Sequence, residues 1–191
     1  APVQGGLYTW GSNSDGMLGQ NNATGYSSPI QVGTGDDWTG MSSSDVFNYA
    51  QAATKADGTL WAWGDNNYGT LGQNQNGATD RSSPIQVGTD TTWLRTDAGS
   101  EIFAAVKTDG TLWMWGRNNS GSSGVLGQNN LTNYSSPVQV GTETTWGTTA
   151  ARFGCGSRNM ANIKTDGSLW SWGYSDYGES GHNSRTKYSS P

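Results

Sequence analysis

The sequence predicts an all-β fold, a β-propeller of four-stranded blades, and three observations carry that prediction. A stretch ending in Trp-Gly recurs at a fixed period along the 191 residues. Within it, Asp-Gly separates two runs of apolar-alternating residues, a strong short-range hairpin signal. The connections between copies are long and rich in Gly, Asn, Ser and Thr, in a chain with only 13% charged residues and ten tryptophans, which describes rigid strands with polar loops rather than disorder.

The hairpin comes first because it is the clearest element. Residues 108–116 read Thr-Asp-Gly-Thr-Leu-Trp-Met-Trp-Gly, residues 56–64 Ala-Asp-Gly-Thr-Leu-Trp-Ala-Trp-Gly, and residues 165–173 Thr-Asp-Gly-Ser-Leu-Trp-Ser-Trp-Gly. A shorter copy, Leu7-Tyr8-Thr9-Trp10-Gly11, lies near the start. The Asp-Gly pair is expected to form a tight two-residue turn, with Gly supplying positive φ at no steric cost. Side chains alternate along a strand, so Trp113 and Trp115 face one way and Leu112 and Met114 the other. Both faces are apolar, as expected of a strand covered on both sides. Trp10, Trp63, Trp115 and Trp172, and the turn glycines Gly58, Gly110 and Gly167, are therefore assigned structural roles.

The period follows from four anchors. The last Trp of each copy stands at 10, 63, 115 and 172, spaced by 53, 52 and 57 residues. Ser-Ser-Pro ends at Pro29, Pro84, Pro137 and Pro191. Leu-Gly-Gln occurs at Leu18, Leu71 and Leu126, and degenerates to Ser180-Gly181-His182. A lone Trp follows Val-Gly-Thr at Trp38, Trp93 and Trp146, so every Trp falls on an anchor and all are expected in the core. Each unit then reads as four strands: Ile85-Gln86-Val87, residues 93–96, and the two arms of the hairpin, followed by a loop of about twenty residues. The units run over about 30–64, 85–116 and 138–173, preceded by an orphan strand at 7–11. The third is lengthened in residues 118–125 and 152–160.

Composition excludes several functions. A net charge of −5 argues against nucleic acid, whose phosphates demand clustered Lys and Arg. No run of eighteen apolar residues offers a membrane span. No basic segment followed by an apolar one gives a visible secretory leader. Cys155 is the single cysteine, so no intrachain disulfide forms, and a small packed thiol is its expected role.

The Leu-Trp-x-Trp-Gly strand, the Asn-Asn-x-Gly-x-Leu-Gly-Gln loop at residues 66–73 and the Ser-Ser-Pro-(Ile/Val)-Gln-Val strand together resemble the repeat family of the regulator of chromosome condensation. The resemblance covers essentially the whole chain and is closer in wording to bacterial and viral versions than to the nuclear exchange factor. It implies a seven-bladed ring, of which this chain supplies three full blades plus one strand, completed by residues outside it or by other chains. No functional residue is carried over, because the matched motif occurs in every blade.

Catalytic constellations are absent from the sequence. His182 is the only histidine and stands in a loop. One His and one Cys do not make a zinc site, and no Gly-rich loop carries a phosphate-binding Lys. Asp36 and Asp37 are adjacent, and Asp57, Asp109 and Asp166 are explained by the turn. Asn13-Ser14-Asp15-Gly16 and Asp65-Asn66-Asn67 are oxygen-rich but lack a calcium-loop pattern. Sequons stand at Asn22, Asn118, Asn130 and Asn133. Arg81, Arg95, Arg117 and Arg152 do not cluster. Tyr26, Tyr68, Tyr134 and Tyr177 recur in the long loops, and a propeller would array them along one rim as a candidate binding surface.

The expected function is a non-catalytic module, with no cofactor and no metal, that presents rim loops to a protein or glycan partner. An extracellular, cell-surface or virion setting suits its low charge and lack of disulfides. The family resemblance supplies the alternative, exchange of guanine nucleotide on a small GTPase.

Overall fold

The computed structural model describes residues 4–42, 49–75, 77, 79–147 and 153–191. The expected Arg152 and part of the lengthened segment before the last hairpin lie outside the described residues. Thirteen strands are seen among the described residues: β1 (Tyr8–Gly11), β2 (Tyr26–Gln31), β3 (Trp38–Met41), β4 (Ala50–Lys55), β5 (Leu60–Gly64), β6 (Arg81–Gln86), β7 (Trp93–Ala98), β8 (Ile102–Lys107), β9 (Leu112–Gly116), β10 (Tyr134–Gln139), β11 (Phe153–Cys155), β12 (Asn159–Ile163) and β13 (Leu169–Gly173). They form four antiparallel sheets in chain order: β1–β2, β3–β4–β5–β6, β7–β8–β9–β10 and β11–β12–β13. Single bridges extend the last sheet on both sides, Trp146 with Lys164 and Gly173 with Tyr188.

The alternation read from the hairpin is realised. Phe103 and Ala105 of β8, Trp115 of β9 and Trp93 of β7 enter one apolar cluster with Leu60 and Leu71 of the preceding sheet and its loop. Ile102, Ala104, Val106, Leu112 and Met114 enter another, with Met160 and Trp172 of the following sheet. The sheet β7–β10 is thus buried on both faces, and apolar residues at successive rather than alternate positions follow from that.

Two expectations are corrected. The Asp-Gly turn is a three-residue loop. Lys55 N–H donates to Thr59 O, Gly58 N–H donates to Lys55 O, and Gly58 alone takes positive φ, at 79°. Asp57 Oδ1 accepts from both the backbone N–H and the hydroxyl of Thr59, and the Thr59 hydroxyl accepts from Trp61 Nε1. The same relay recurs through Asp109, Thr111 and Trp113, and through Asp166, Ser168 and Trp170. These bonds hold the three carboxyls below the usual range; the hydroxyl bond leads for Asp57 and Asp166, the Thr111 N–H bond for Asp109.

The second correction concerns the unit boundaries. The Ser-Ser-Pro strand does not open the next sheet; it closes the preceding one, with Gln86 opposite Trp61 and Ile85 opposite Ala62. The physical reason is the long loop, which folds back along its own hairpin and is pinned there by Gln73 Nε2, bonded to Leu71 O and Gln86 O. Sheets therefore begin at Trp38 and Trp93, and the strand expected to be an orphan, β1, pairs with β2 through Tyr8–Gln31 and Thr9–Ile30.

Candidate interaction surface

The long loops leave each sheet at one end, after the Trp-Gly that closes β1, β5, β9 and β13. They are folded by a buried asparagine. Asn13, Asn66 and Asn118 are each almost fully buried and accept at Oδ1 from the backbone N–H of Leu18, Leu71 and Leu126. Asn13 Nδ2 donates to Asn22 O and Thr24 O, and Asn118 Nδ2 to Asn130 O. Leu18, Leu71 and Leu126 are buried by this fold. The Asn13 and Asn66 oxygens thus accept from the loop's own backbone. Asn118 is 0% exposed, which removes it as a glycosylation acceptor.

The four candidate tyrosines divide into two sets. Tyr26 and Tyr134 open β2 and β10, opposite Gly11 and Gly116, and their hydroxyls accept from Asn22 Nδ2 and Asn130 Nδ2. They are half-buried braces of the loop. Tyr68 and Tyr177 stand further out in the loops. Tyr68, at φ 60°, lies under the Arg117 guanidinium, 4.4 Å from ring centroid to Cζ. Arg117 is held by Glu101 at 2.7 Å, and Glu101 raises its pKa. Tyr177 is 84% exposed. Tyr174, which the sequence did not single out, lies 4.9 Å from Lys187 Nζ and 5.7 Å from Arg158 Cζ, with Lys187 paired to Asp176 at 3.1 Å. Beside Tyr68, burial above all, with the nearby Asp80, pushes the Asp65 carboxyl up to about 6.

A second repeated arrangement was also missed. Lys55, Lys107 and Lys164 each lie over two tryptophans and against an acid. Lys55 stands 4.7 Å from the Trp38 ring, 5.0 Å from Trp61 and 3.2 Å from Asp37. Lys164 stands 4.9 Å from Trp146, 3.7 Å from Trp170 and 2.5 Å from Glu143. The signal was present, a lysine three residues before every turn glycine. A cleft of about 880 Å³, bounded by Gln20, Gln31, Asp36, Asp37 and Trp61, opens beside the first of these cages.

Not every tryptophan expected in the core is buried: Trp170 is 37% exposed. Trp63, Trp115 and Trp172 are 0% exposed, but Trp10 is 60% exposed, because no described loop receives it. His182 is bonded to Ser171 Oγ at 3.2 Å and packs edge-on to Tyr188. Cys155 is a packed thiol whose burial raises its pKa well above the usual value. Among the described residues, no group of three or more His, Cys, Asp or Glu could hold a metal ion, and no helix is long and apolar enough to cross a membrane.

The family described as the regulator of chromosome condensation (RCC1) repeat matches residues 4–50 and 57–106, and a second form of that repeat matches residues 96–122. The chain belongs to the RCC1 repeat family. As an RCC1-repeat chain it is 27% identical over 187 residues to the human E3 ubiquitin-protein ligase HERC2, covering 95% of this chain and 4% of that protein. It is 28% identical to the Arabidopsis thaliana ultraviolet-B receptor UVR8, covering 92% of this chain and 39% of the receptor. Among solved structures, human WBSCR16 superimposes with a TM-score of 0.82 at 21% identity, covering 99% of this chain and 48% of that one. Yeast RCC1 (Prp20), solved bound to Kap60, gives 0.76 at 18% identity, over 94% and 43%. The RCC1-repeat chain thus spans less than half of each of these proteins, and the structural likeness establishes the β-propeller fold.

Proposed function

We propose that this chain is a non-catalytic interaction module that binds a protein partner through the loop end of its sheets. The observation that carries the reading is the pairing of aromatic rings with cations on preformed loops: Tyr68 under Arg117, and Tyr174 beside Arg158 and Lys187, with Tyr177 bare next to them. Tyrosine and arginine dominate the energetics of protein interfaces. In the loop that presents Tyr68, Asn66 Oδ1 accepts from Leu71 N–H and Gln73 Nε2 donates to Leu71 O and Gln86 O, so little ordering entropy opposes binding there. A surface-exposed or virion-associated setting, and a glycan in place of a protein, are finer forms of the same reading. The cleft beside Trp61 is where a sugar ring would stack. The experiment is cross-linking from position 67, exposed beside Tyr68, against extract of the source organism or its host. Capture that Arg117→Ala and Tyr177→Ala abolish supports the reading, and capture indifferent to both opposes it.

A second reading is nucleotide exchange on a small GTPase. Its support is relatedness. The chain is 34% identical over 138 residues to the canine X-linked retinitis pigmentosa GTPase regulator, covering 70% of this chain and 13% of that protein. Yeast Prp20p has been studied for its binding to Gsp1p and histones. Release of a fluorescent GDP analogue from a small GTPase, unchanged by this chain at high excess, would reject it.

A further inference from the structure

We infer that the cleft between the sheets β1–β2 and β3–β6 is a binding site for a neutral, β-linked sugar chain, recognised by Trp61 and Asp36. The inference deepens the glycan form of the reading above and rests on the chain being a non-catalytic binding module. The cleft encloses about 880 Å³, a volume in the range of small-molecule sites. Its walls come from residues 19–21, 31–38, 55, 61, 83 and 84.

A departure from the repeat shapes this cleft. Three positions before Trp93 and Trp146 stand Asp90 and Glu143, whose carboxylates pair with Lys107 and Lys164 at 2.6 and 2.5 Å. Three positions before Trp38 stands Gly35, which brings no side chain to the rim. The acid that meets Lys55 is instead Asp37, at 3.2 Å, in the place held elsewhere by Thr92 and Thr145. The two changes belong together, because a Cβ on Gly35 would fall 2.8 Å from Asp37 Oδ1 and displace that carboxylate. The shift also puts Asp36 where the other units have Thr91 and Thr144. The matching cleft that Glu143 lines, beside Lys164 and Trp170, encloses only about 300 Å³.

Lys55 sets the charge of the ligand. Its ammonium already lies 4.7 Å from the Trp38 ring, 5.0 Å from the Trp61 ring and against Asp37, so the cation position of these two indoles is filled. A second cation beside Trp61 would meet a like charge at close range, and a neutral ligand would not. What the walls still offer is acceptors. Asp36 is exposed and makes no hydrogen bond or ion pair with the described residues. Gln20 uses its Nε2 on Leu18 O and Gln31 O, which leaves Oε1 without a partner among the described residues. The Trp61 indole N–H is bonded to Thr59 Oγ1, so this half-buried residue meets a ligand through its ring. A sugar answers all three features. Its hydroxyls donate to carboxylate and amide oxygens, and the positive edges of its C–H groups lie against the negative face of the indole. A β-linked hexose with equatorial hydroxyls presents that face most fully, and about two or three rings match the volume.

The test is a titration of the isotope-labelled chain with cellotriose to about 10 mM, with the indole N–H signals followed by NMR. The expected result is a saturable shift of the Trp61 signal, assigned through Trp61→Phe, with a Kd of about 1 mM or tighter. The Trp113 signal, beside Asp90, stays in place. Asp36→Ala weakens binding by about tenfold. Asp36 is exposed, and an unchanged remainder of the spectrum checks that the fold is kept. Gly35→Asp combined with Asp37→Thr installs the arrangement of the second Lys–Trp cage, keeps an acid on Lys55 and abolishes the shift. A Trp61 signal that cellotriose does not move overturns the proposal. So does binding that Asp36→Ala and the double variant leave unchanged, and so does tighter binding of the glucosamine trimer, whose ammonium groups test the charge argument. Protein capture from position 67 reads a different surface: capture that survives a failed titration removes this site alone, and a successful titration with no capture removes the protein-binding reading alone.

Discussion

The ammonium of Lys107 lies 4.0 Å from the centroid of the Trp113 ring and 2.6 Å from a carboxylate oxygen of Asp90. Trp93 closes the other side at 4.7 Å, and the lysine side chain is only 12% exposed. Cation–π attraction gains strength when the cation is this dry. Lys107→Met keeps the apolar stem and removes the charge, and should lower stability by about 1–2 kcal/mol, read from the urea midpoint at neutral pH.

Asp90 makes the same cage pH-dependent. Its bond to Lys107, joined by that to the Thr92 hydroxyl, brings its carboxyl down to about 2. A carboxyl depressed in the folded state stabilises fully above its unfolded pKa, near 4, and that stability is lost as pH falls through about 2. Unfolding followed between pH 5 and pH 2 should show this loss in the parent chain and a flatter profile in Asp90→Asn.

Asp65 has the opposite sign. Burial raises its carboxyl to about 6, so the favourable state is the protonated one and stability falls as pH rises from about 4 through 6. Asp65→Asn preserves an acceptor for the Asn67 N–H, which Asp65 Oδ2 receives at 3.2 Å. The variant should be more stable than the parent at pH 7 and equal to it at pH 4, as measured by thermal midpoints at both values.

The turn glycines separate backbone cost from crowding. Gly110 has φ 80°, and a Cβ there would fall 2.2 Å from Thr144 O; Gly167 has φ 88° and open space. Gly167→Ala should cost about 1 kcal/mol, the left-handed penalty alone. Gly110→Ala should cost distinctly more, because Trp146 N–H bonds to Gly110 O and the strand cannot retreat without breaking that bond. Equal losses in the two variants would contradict the close approach.

Asn162 is fully buried, and neither its Oδ1 nor its Nδ2 makes a hydrogen bond with the described residues. It stands opposite Trp170, where the other sheets place Ala53 opposite Trp61 and Ala105 opposite Trp113. Asn162→Ala should therefore stabilise the chain, by roughly 1 kcal/mol, since an unsatisfied buried amide is removed and its repeat counterpart installed.

What could be read in advance follows the range of each interaction. The faces of Trp113 and Trp115 were legible because strand alternation is set by adjacent residues. The membership of Arg81–Gln86 was not, since Ser-Ser-Pro reads equally as the start of one sheet or the end of another. The ladder that sets Gln86 opposite Trp61 decides it, and Gln73 Nε2, bonded to Leu71 O and Gln86 O, pins the loop that brings it there. The bond from the Trp115 indole N–H to Thr70 O spans 45 positions and leaves no local trace beyond the two motifs that meet in it. The tyrosines misled because recurrence in loops does not separate Tyr134, braced by Asn130, from Tyr177, which faces water. The lysine cages went unnoticed for a similar reason: each lysine was visible, but its two tryptophans come from flanking strands.

The third loop carries three more residues between its buried asparagine and its leucine than the second: Asn118 reaches Leu126 across eight positions where Asn66 reaches Leu71 across five. Both bonds are made, and the extra length is taken up around a short 3-10 turn at Ser120–Ser122. Apart from the Lys187 ammonium bonded to Gly121 O, the outer stretch of this loop is held at its ends and by one inward amide, so it can change residues, or gain some, while the sheets beneath keep their spacing. Natural variants of this molecule should accordingly diverge most, in both sequence and length, between those two fastenings, and a new binding specificity can arise there without a compensating change in the scaffold.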